Sequence, residues 1–157
     1  MTSNPKIRFR EASSADVPAI VQCRLADPTD NGAADPRMGA YFDGQHHPQQ
    51  ALAARVGYVA VRDSEVIGYV AGHRTTRNGC SGELQYMFVA PAHRRRGIGA
   101  ALLRLIAGWF HDQGATRVCV PIAADSRPEA RPFCEALGAI PLQKNWYFWK
   151  DIADILS

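Results

Sequence analysis

Residues 88–100 read FVAPAHRRRGIGA and are the most informative segment of the chain. It joins the end of a hydrophobic strand, a basic turn with two glycines, and the start of a helix. The first N–H groups of a helix have no partner within the helix, and together with the helix dipole they attract anions. Glycines at positions 97 and 99 let the main chain approach such an anion without an intervening Cβ. We therefore expect a phosphate-binding turn over residues 94–100.

The residues that follow show the clearest helical pattern in the chain. Apolar side chains recur every three or four positions, at Ile98, Ala101, Leu102, Leu105, Ile106, Trp109 and Phe110. Gly114 then provides a C-terminal stop. The spacing predicts an amphipathic helix over residues 98–113, beginning directly at the basic turn.

Two familiar phosphate-binding loops do not fit this turn. A Walker loop requires a Lys-Ser or Lys-Thr pair after its last glycine, and none follows here. A dinucleotide-binding loop requires a third glycine or an alanine where this chain has Leu102. The pattern that remains is R-x-x-G-x-G, from Arg94 to Gly99.

This pattern resembles the acyl-coenzyme A pyrophosphate motif [QR]-x-x-G-x-[GA] of the GCN5-related N-acetyltransferase (GNAT) superfamily. Both flanks agree with the family: Val89-Ala90-Pro91 ends the preceding strand, and a long amphipathic helix follows. The resemblance in element order extends from Ile7 to Lys150. It implies one α/β (α+β) domain over residues 1–157, with a mixed, mostly antiparallel sheet of six to seven strands, a central splay and about four flanking helices.

The resemblance also implies a cofactor site and a reaction. Acetyl-CoA would be the co-substrate, with its pantetheine arm on the main chain of Met87, Phe88 and Val89. Its pyrophosphate would lie in the turn formed by Arg94, Arg95, Arg96, Gly97, Ile98, Gly99 and Ala100. A primary amine of a small molecule, peptide or protein would attack the thioester directly, so the domain would be an N-acetyltransferase.

Direct attack needs an uncharged amine, so a base or a chain of water molecules must remove a proton. Glu83 is the preferred residue, because family members often use a glutamate in this region. It precedes Val89 by six residues, so strand alternation predicts both on one face, with Gln85 available to orient water or substrate. The alternative is an exposed carboxylate at a strand end.

The acid that returns a proton to the thiolate is less evident. Many family members have a tyrosine where this chain has Cys134, and an asparagine where it has Arg127. Cys134 is therefore a catalytic candidate, but it also lies on an apolar helical stripe, which favours core packing. Tyr86, Tyr147 or unassisted departure of the thiolate are alternatives. The presence of Cys134 in place of the usual tyrosine also leaves a second function open. The domain would then be catalytically silent and would bind acyl-CoA as a sensor or regulator.

The rest of the chain predicts the order β-α-(α)-β-β-β-α-β-α-β-β. Ser13 or Ser14 caps a helix with an apolar stripe. Residues 27–47, rich in glycine, proline and aspartate, are expected to form a long loop with short helical pieces, and Pro48 opens a further helix running to about Arg55. Asp63–Ser64 joins two strands in a hairpin. The stripe of the first helix consists of Val17, Ile20, Val21 and Leu25. Pro132 implies that the last helix begins after Ser126 or is kinked.

The composition of the chain excludes several classes of protein. A chain of 157 residues with 46% hydrophobic and 21% charged residues is typical of one globular domain and excludes a disordered chain. Four cysteines without a C-x-x-C pair indicate reduced thiols and a cytoplasmic protein without a zinc site. The start lacks the apolar core of a signal peptide, and no apolar run is long enough to span a membrane.

Partners other than an amine substrate have weaker support. Residues 93–96 form one basic cluster, too small an area to predict nucleic-acid binding. His46 and His47 lack further ligands at helical spacing, so we expect no metal. His73 lies on a strand near the predicted gap; contact with the substrate is one interpretation, and a packed or edge histidine is the favoured one. The aromatic run at residues 146–149 is a candidate for an acceptor pocket or a homodimer contact.

Overall fold

The computed structural model describes residues 6–27, 37–122 and 129–156. Within these ranges it contains seven strands and four α-helices, and the predicted element order is confirmed. Their bounds are β1 Arg8–Glu11, α1 Val17–Leu25, α2 Met38–Phe42, β2 Ala51–Arg62, β3 Glu65–Thr75, β4 Gly82–Val89, α3 Ile98–Asp112, β5 Val118–Pro121, α4 Ala130–Ala136, β6 Ile140–Gln143 and β7 Trp146–Trp149. No helix in the described ranges is both long and apolar enough to cross a membrane.

The strands form one sheet in the order β1-β2-β3-β4-β5-β7-β6. Neighbouring strands are antiparallel except for β4 and β5, which are parallel. The side chains of α3 and α4 pack on one face of the sheet, and those of α1 and α2 pack on the other. The predicted class, a mixed and mostly antiparallel α/β sheet between helices, is therefore confirmed.

The hairpin between β2 and β3 forms where the sequence predicts it. Asp63 and Ser64 both have positive φ, +50° and +68°. Two such residues in succession give the turn whose twist matches that of the strands it joins, and aspartate tolerates the conformation better than most residues. Beyond this turn β2 and β3 pair along almost their whole length.

The helix predicted from Pro48 to Arg55 is wrong. Most of that segment belongs to β2, where Ala51 pairs with Thr75 and Arg55 pairs with His73. Pairing with β3 overrides the local preference of the alanines for a helix. The second helix lies earlier, at Met38–Phe42, inside a segment that the sequence indicated as a loop with short helical pieces.

The stripe predicted for α1 is only partly correct. Ile20 is completely buried, but Leu25 is 67% exposed, and Cys23 is buried instead. Ahead of the helix, the Ser13 N–H donates to the Asp16 carboxylate at 2.9 Å. This bond satisfies a donor close to the helix start.

Pro132 is accommodated without a break in α4. The helix begins at Ala130, so Pro132 is its third residue and lies in the first turn, where no intrahelical N–H bond is required. The Phe133 N–H makes the next bond, to the Glu129 carbonyl at 3.0 Å. The predicted later start is thus confirmed. Ser126 and Arg127 lie outside the described residues.

Candidate active site

The centre of the sheet contains a gap between β4 and β5. These strands pair only at Gly82↔Val118 and Glu83↔Cys119. Beyond Glu83, β4 continues to Val89 without further pairing to β5 in the part of the chain that the structure describes. The strands therefore diverge from a closed end at Glu83, and the predicted central splay is present. We call the space beside residues 84–89 of β4 the β4–β5 gap.

Main-chain groups of β4 alternate between β3 and this gap. The Ala90 N–H donates to the Ile67 carbonyl of the β3 side at 2.8 Å. In an antiparallel pair every second residue exchanges such bonds, so Phe88, opposite Tyr69, also directs its groups toward β3. Met87 and Val89 then direct theirs into the gap. Of the three residues predicted to hold pantetheine, these two have the required orientation.

The turn before α3 has the geometry expected of an anion cradle. Arg95 and Gly97 have positive φ, +62° and +79°. The first helical bond is from the Ala101 N–H to the Gly97 carbonyl, at 3.0 Å, so the N–H groups of the three residues from Ile98 to Ala100 have no acceptor within the helix. A Cβ built on Gly97 has no neighbour within 4 Å. The turn is therefore open to its surroundings at Gly97.

The three arginines of the turn divide into two groups. Arg95 and Arg96 are exposed. Arg94 is directed inward: its guanidinium contacts the buried Asp27 carboxylate at 2.7 Å, and its Nε donates to the Val89 carbonyl at 2.8 Å. Its side chain thus ties the turn to β4 and to the end of α1. The exposed charges of the turn are therefore those of Arg95 and Arg96, while Arg94 fixes the position of the turn.

The two glycines of the motif have different roles. Gly97 adopts a conformation that side chains disfavour. Gly99 has ordinary backbone angles, but a Cβ there would lie 3.1 and 3.3 Å from ring atoms of Phe133. Gly99 thus also allows α3 to pack against α4, and its part in ligand approach stays a prediction. Ile98 is a core side chain, 3% exposed.

Glu83 lies at the closed end of the gap and is buried, with 3% exposure. Its Oε1 is 3.5 Å from Arg77 Nε and 3.8 Å from His73 Nε2. Burial raises the pKa of Glu83 to about 7, and the opposing effect of Arg77 is smaller. The alternative of an exposed carboxylate is therefore wrong. A carboxyl group with this pKa can accept a proton near neutral pH.

The face that Glu83 occupies differs from the prediction. Tyr86 pairs with Ala71 and Leu84 pairs with Gly72, so Gln85 is an extra residue, a β-bulge. The bulge shifts the alternation by one. Glu83 therefore shares a face with Tyr86, toward α1 and α2, whereas Val89 packs on the face of α3.

Two residues that sequence reasoning did not connect with Glu83 complete its surroundings. The Tyr41 hydroxyl is 2.9 Å from His73 Nδ1, and both side chains are completely buried. Burial lowers the pKa of His73 to about 4, so its ring is neutral at physiological pH. His73 is the packed histidine that the sequence predicts. Tyr41 gave no signal, because it lies in an expected loop.

Cys134 belongs to the core. Its side chain is 1% exposed and packs with residues of α3. Burial raises the pKa of its thiol to about 12. A thiolate with an ordinary pKa of about 8.5 would gain little from so weak an acid. The geometry therefore favours the packing interpretation over a catalytic one. Tyr86 is also largely buried, with its ring edge-on to Tyr41 at 5.3 Å.

The described residues contain no group of three or more histidine, cysteine, aspartate or glutamate side chains that could hold a metal ion. His47 is in contact with the guanidinium of Arg55 through Nδ1. The nearest partner of this ring nitrogen is thus a cation.

Comparisons with known proteins bear on the family and the fold. A family model described as "Acetyltransferase (GNAT) family" matches residues 25–139. A GNAT-family acetyltransferase from Staphylococcus aureus Mu50 has a TM-score of 0.71 at 16% identity, over 92% of this chain and 98% of that one. A PaiA N-acetyltransferase from Thermoplasma acidophilum, solved with coenzyme A, has a TM-score of 0.69 at 15% identity, over 93% and 99%.

The ribosomal-protein-S18-alanine N-acetyltransferase from Escherichia coli has a TM-score of 0.63 at 16% identity, over 88% of this chain and 80% of that one. At such identities the structural likeness shows the fold alone. A search among curated proteins gives no match. The family model, in contrast, covers most of the sequence, from the end of α1 to the start of β6. On that ground, this chain belongs to the GNAT family of acetyltransferases.

Proposed function

We propose that this protein is an acetyl-CoA-dependent N-acetyltransferase that acts on a primary amine of a small molecule, peptide or protein by direct attack. The observation that carries the proposal is the position of Glu83. A buried carboxyl with a pKa of about 7 lies where the β4–β5 gap closes. A base at that point can take the proton that an amine must lose before it attacks.

The cofactor site supports the same function. Bound acetyl-CoA would supply the activated acetyl thioester. The N–H groups that begin α3 would bind its pyrophosphate, assisted by the exposed charges of Arg95 and Arg96. Main-chain groups of Met87 and Val89 would pair with the pantetheine amides and stabilise charge on the thioester oxygen. The neighbour solved with coenzyme A supports this choice of co-substrate.

A second candidate is a silent acyl-CoA-binding domain. Two observations favour it: Glu83 is only 3% exposed, and the residue in the place of the usual family tyrosine is the buried Cys134. Such a protein would bind acetyl-CoA through the same turn and transfer nothing. The two candidates share a ligand and differ in turnover.

The test combines binding and turnover. Calorimetry with coenzyme A and acetyl-CoA establishes binding, and release of the free thiol is then followed with amino acids, polyamines, and peptides bearing N-terminal alanine or lysine. Glu83→Gln should bind acetyl-CoA as the wild type does and lose at least about 100-fold in turnover, the scale of general-base catalysis. The exposed Glu65 provides a matched control, Glu65→Gln.

Each outcome separates the candidates. Turnover that depends on Glu83 supports the transferase. Tight binding without transfer to any amine class supports the silent domain. Failure of coenzyme A and its thioester to bind contradicts both.

The proposed location is the cytoplasm. All four cysteines are free and buried, at positions 23, 80, 119 and 134. Free thiols are typical of proteins in a reducing compartment, where acetyl-CoA is also used.

A further inference from the structure

Three buried polar side chains from separate elements meet behind the β4–β5 gap. Tyr41 comes from α2, His73 from β3 and Glu83 from β4, and their side chains are at most 3% exposed. The Tyr41 hydroxyl lies 2.9 Å from His73 Nδ1, and His73 Nε2 lies 3.8 Å from Glu83 Oε1. Neither Nε2 nor Oε1 has a hydrogen bond from any described residue.

Two polar atoms that are buried, unbonded and directed at one another are unusual, because each such group costs free energy when it has no partner. The separation of 3.8 Å is longer than a hydrogen bond and too short for a bridging water. A small approach of the two side chains would satisfy both atoms at once.

The tautomer of His73 follows from its neighbours. A neutral imidazole has one N–H and one acceptor nitrogen. An ionised Glu83 can only accept, so a bond between Nε2 and Oε1 requires the proton on Nε2, and Nδ1 then accepts from the Tyr41 hydroxyl. Tyr41 can supply that bond in a fixed direction, because its ring is held edge-on against Tyr86 and beneath the Arg55 guanidinium, at 5.3 and 4.7 Å.

We propose that His73, oriented by Tyr41, is a positioning residue for Glu83: its Nε2–H closes onto Oε1 when the carboxyl is ionised and holds the carboxylate ready to receive a proton. The catalytic meaning of this bond rests on the proposed role of Glu83 as the base. When the acceptor amine gives its proton to Glu83, the contact returns to its longer distance, and His73 stays neutral throughout.

Other titratable and charged groups also face this pair. Arg77 approaches Glu83 from the turn after β3, and the thiols of Cys80 and Cys119 lie near the same carboxyl. Burial lowers the pKa of His73, and Arg55, Arg77 and His47, which face the ring, act in the same direction. His73 therefore stays a neutral donor, and Arg77, whose Nε is 3.5 Å from Oε1, makes no hydrogen bond to that atom.

The ionisation of Glu83 can be measured without any substrate. The chain has glutamates only at positions 11, 65, 83, 129 and 135, so protein labelled with ¹³C at the glutamate carboxyl gives a small set of resonances. Glu83→Gln assigns the signal that disappears. Its chemical shift against pH then gives the titration midpoint in the whole protein.

Two substitutions of His73 distinguish the roles of its two ring nitrogens. The amide nitrogen of His73→Gln can reach the place of Nε2, while that of His73→Asn reaches only the place of Nδ1. We expect His73→Asn to raise the Glu83 midpoint by about one pH unit, the scale of a hydrogen bond to a charged group. His73→Gln should restore most of that shift. Tyr41→Phe, which keeps the ring, should raise the midpoint by a smaller amount.

Each result has a stated meaning. A midpoint that is the same in His73→Asn and in the wild type overturns the proposal, as does an equal shift in His73→Gln and His73→Asn. If either His73 variant fails to fold, Tyr41→Phe decides, and an unchanged midpoint there overturns the proposal. Where an amine substrate is found, the acid limb of the kcat/KM profile should move with the NMR midpoint. Absence of acetyl transfer in the wild type contradicts the proposed function and leaves the titration result independent.

Discussion

Replacing Glu83 with glutamine should change how the stability of the fold depends on pH. Burial holds the pKa of Glu83 at about 7 in the folded protein, against 4.5 for the unperturbed group. Between these values the folded protein keeps a proton that the unfolded chain has released, so stability falls as pH rises through this range. A shift of this size corresponds to about 3 kcal/mol. Glutamine has no such proton, and the fall should disappear.

The titration of His73 changes the stability of the fold with pH in the opposite direction. Its pKa is lowered from 6.5 to about 4, chiefly by burial, so the unfolded chain binds the extra proton between these values and stability rises with pH. The rise is also about 3 kcal/mol. In the wild type the two effects nearly cancel from about pH 4.5 to 6.5. In Glu83→Gln the rise due to His73 should remain alone.

Urea unfolding followed by tryptophan fluorescence, at half-unit steps from about pH 4.5 to 8, measures both effects. The free energy of unfolding of Glu83→Gln minus that of the wild type should increase by about 3 kcal/mol up to about pH 7 and then level off. Glu65→Gln, which removes an exposed carboxylate, should follow the wild-type curve. A difference for Glu83→Gln that stays flat with pH would refute the reasoning, because Glu83 would then ionise in the fold as it does in the unfolded chain.

Three further outcomes are expected at the cofactor site and in the core. Gly97→Asp should keep the fold but weaken coenzyme A binding at least about tenfold in calorimetry, because it adds strain and a negative charge to the turn; Gly97→Ala, with strain alone, is the control, and unchanged affinity in Gly97→Asp would place the cradle elsewhere. Arg94→Ala should lower the free energy of unfolding by about 3 kcal/mol in urea, since it breaks a contact with the buried Asp27; a loss below about 1 kcal/mol would contradict its structural role. Cys134→Ala should keep the rate of thiol release and lower stability by about 1–2 kcal/mol, whereas a folded but inactive variant would restore an acid role for Cys134.

Local patterns were sufficient for much of the fold. The helix α3, the hairpin at Asp63–Ser64 and the anion turn each depend on residues close together in sequence, and all three appear at the predicted places. The helix predicted from Pro48 failed for a different reason. Its residues gain more from pairing with β3, more than ten positions away, than from their helical preference, and no local signal reports such pairing.

In the candidate site, too, features that depend on residues close in sequence could be predicted, and features that depend on distant residues could not. Glu83 could be selected as a candidate base from the sequence, because that choice depends only on its position ahead of the motif, and its role as the base stays a prediction. The burial of Glu83, its raised pKa and its contact with His73 could not be predicted, since they require Tyr41 and β3 to pack against it. The inward direction of Arg94 was equally hidden, because Asp27 lies far away in sequence. Charge and spacing indicated a phosphate ligand but not which arginine would be free to meet it.

The extra residue in β4 has a consequence for engineering this protein. If Gln85 were deleted, β4 could pair regularly with β3 only if the side chains of one half of the strand moved to the opposite face of the sheet. Turning the first half would drive the Glu83 carboxyl toward Phe110 of α3 and expel Leu84 from its place in the core. The extra peptide unit in β4, rather than any side chain, thus determines on which face of the sheet the Glu83 carboxyl lies. A sequence change can keep every functional residue and still alter the length of β4. Such a change should impair the site as much as removal of Glu83 itself.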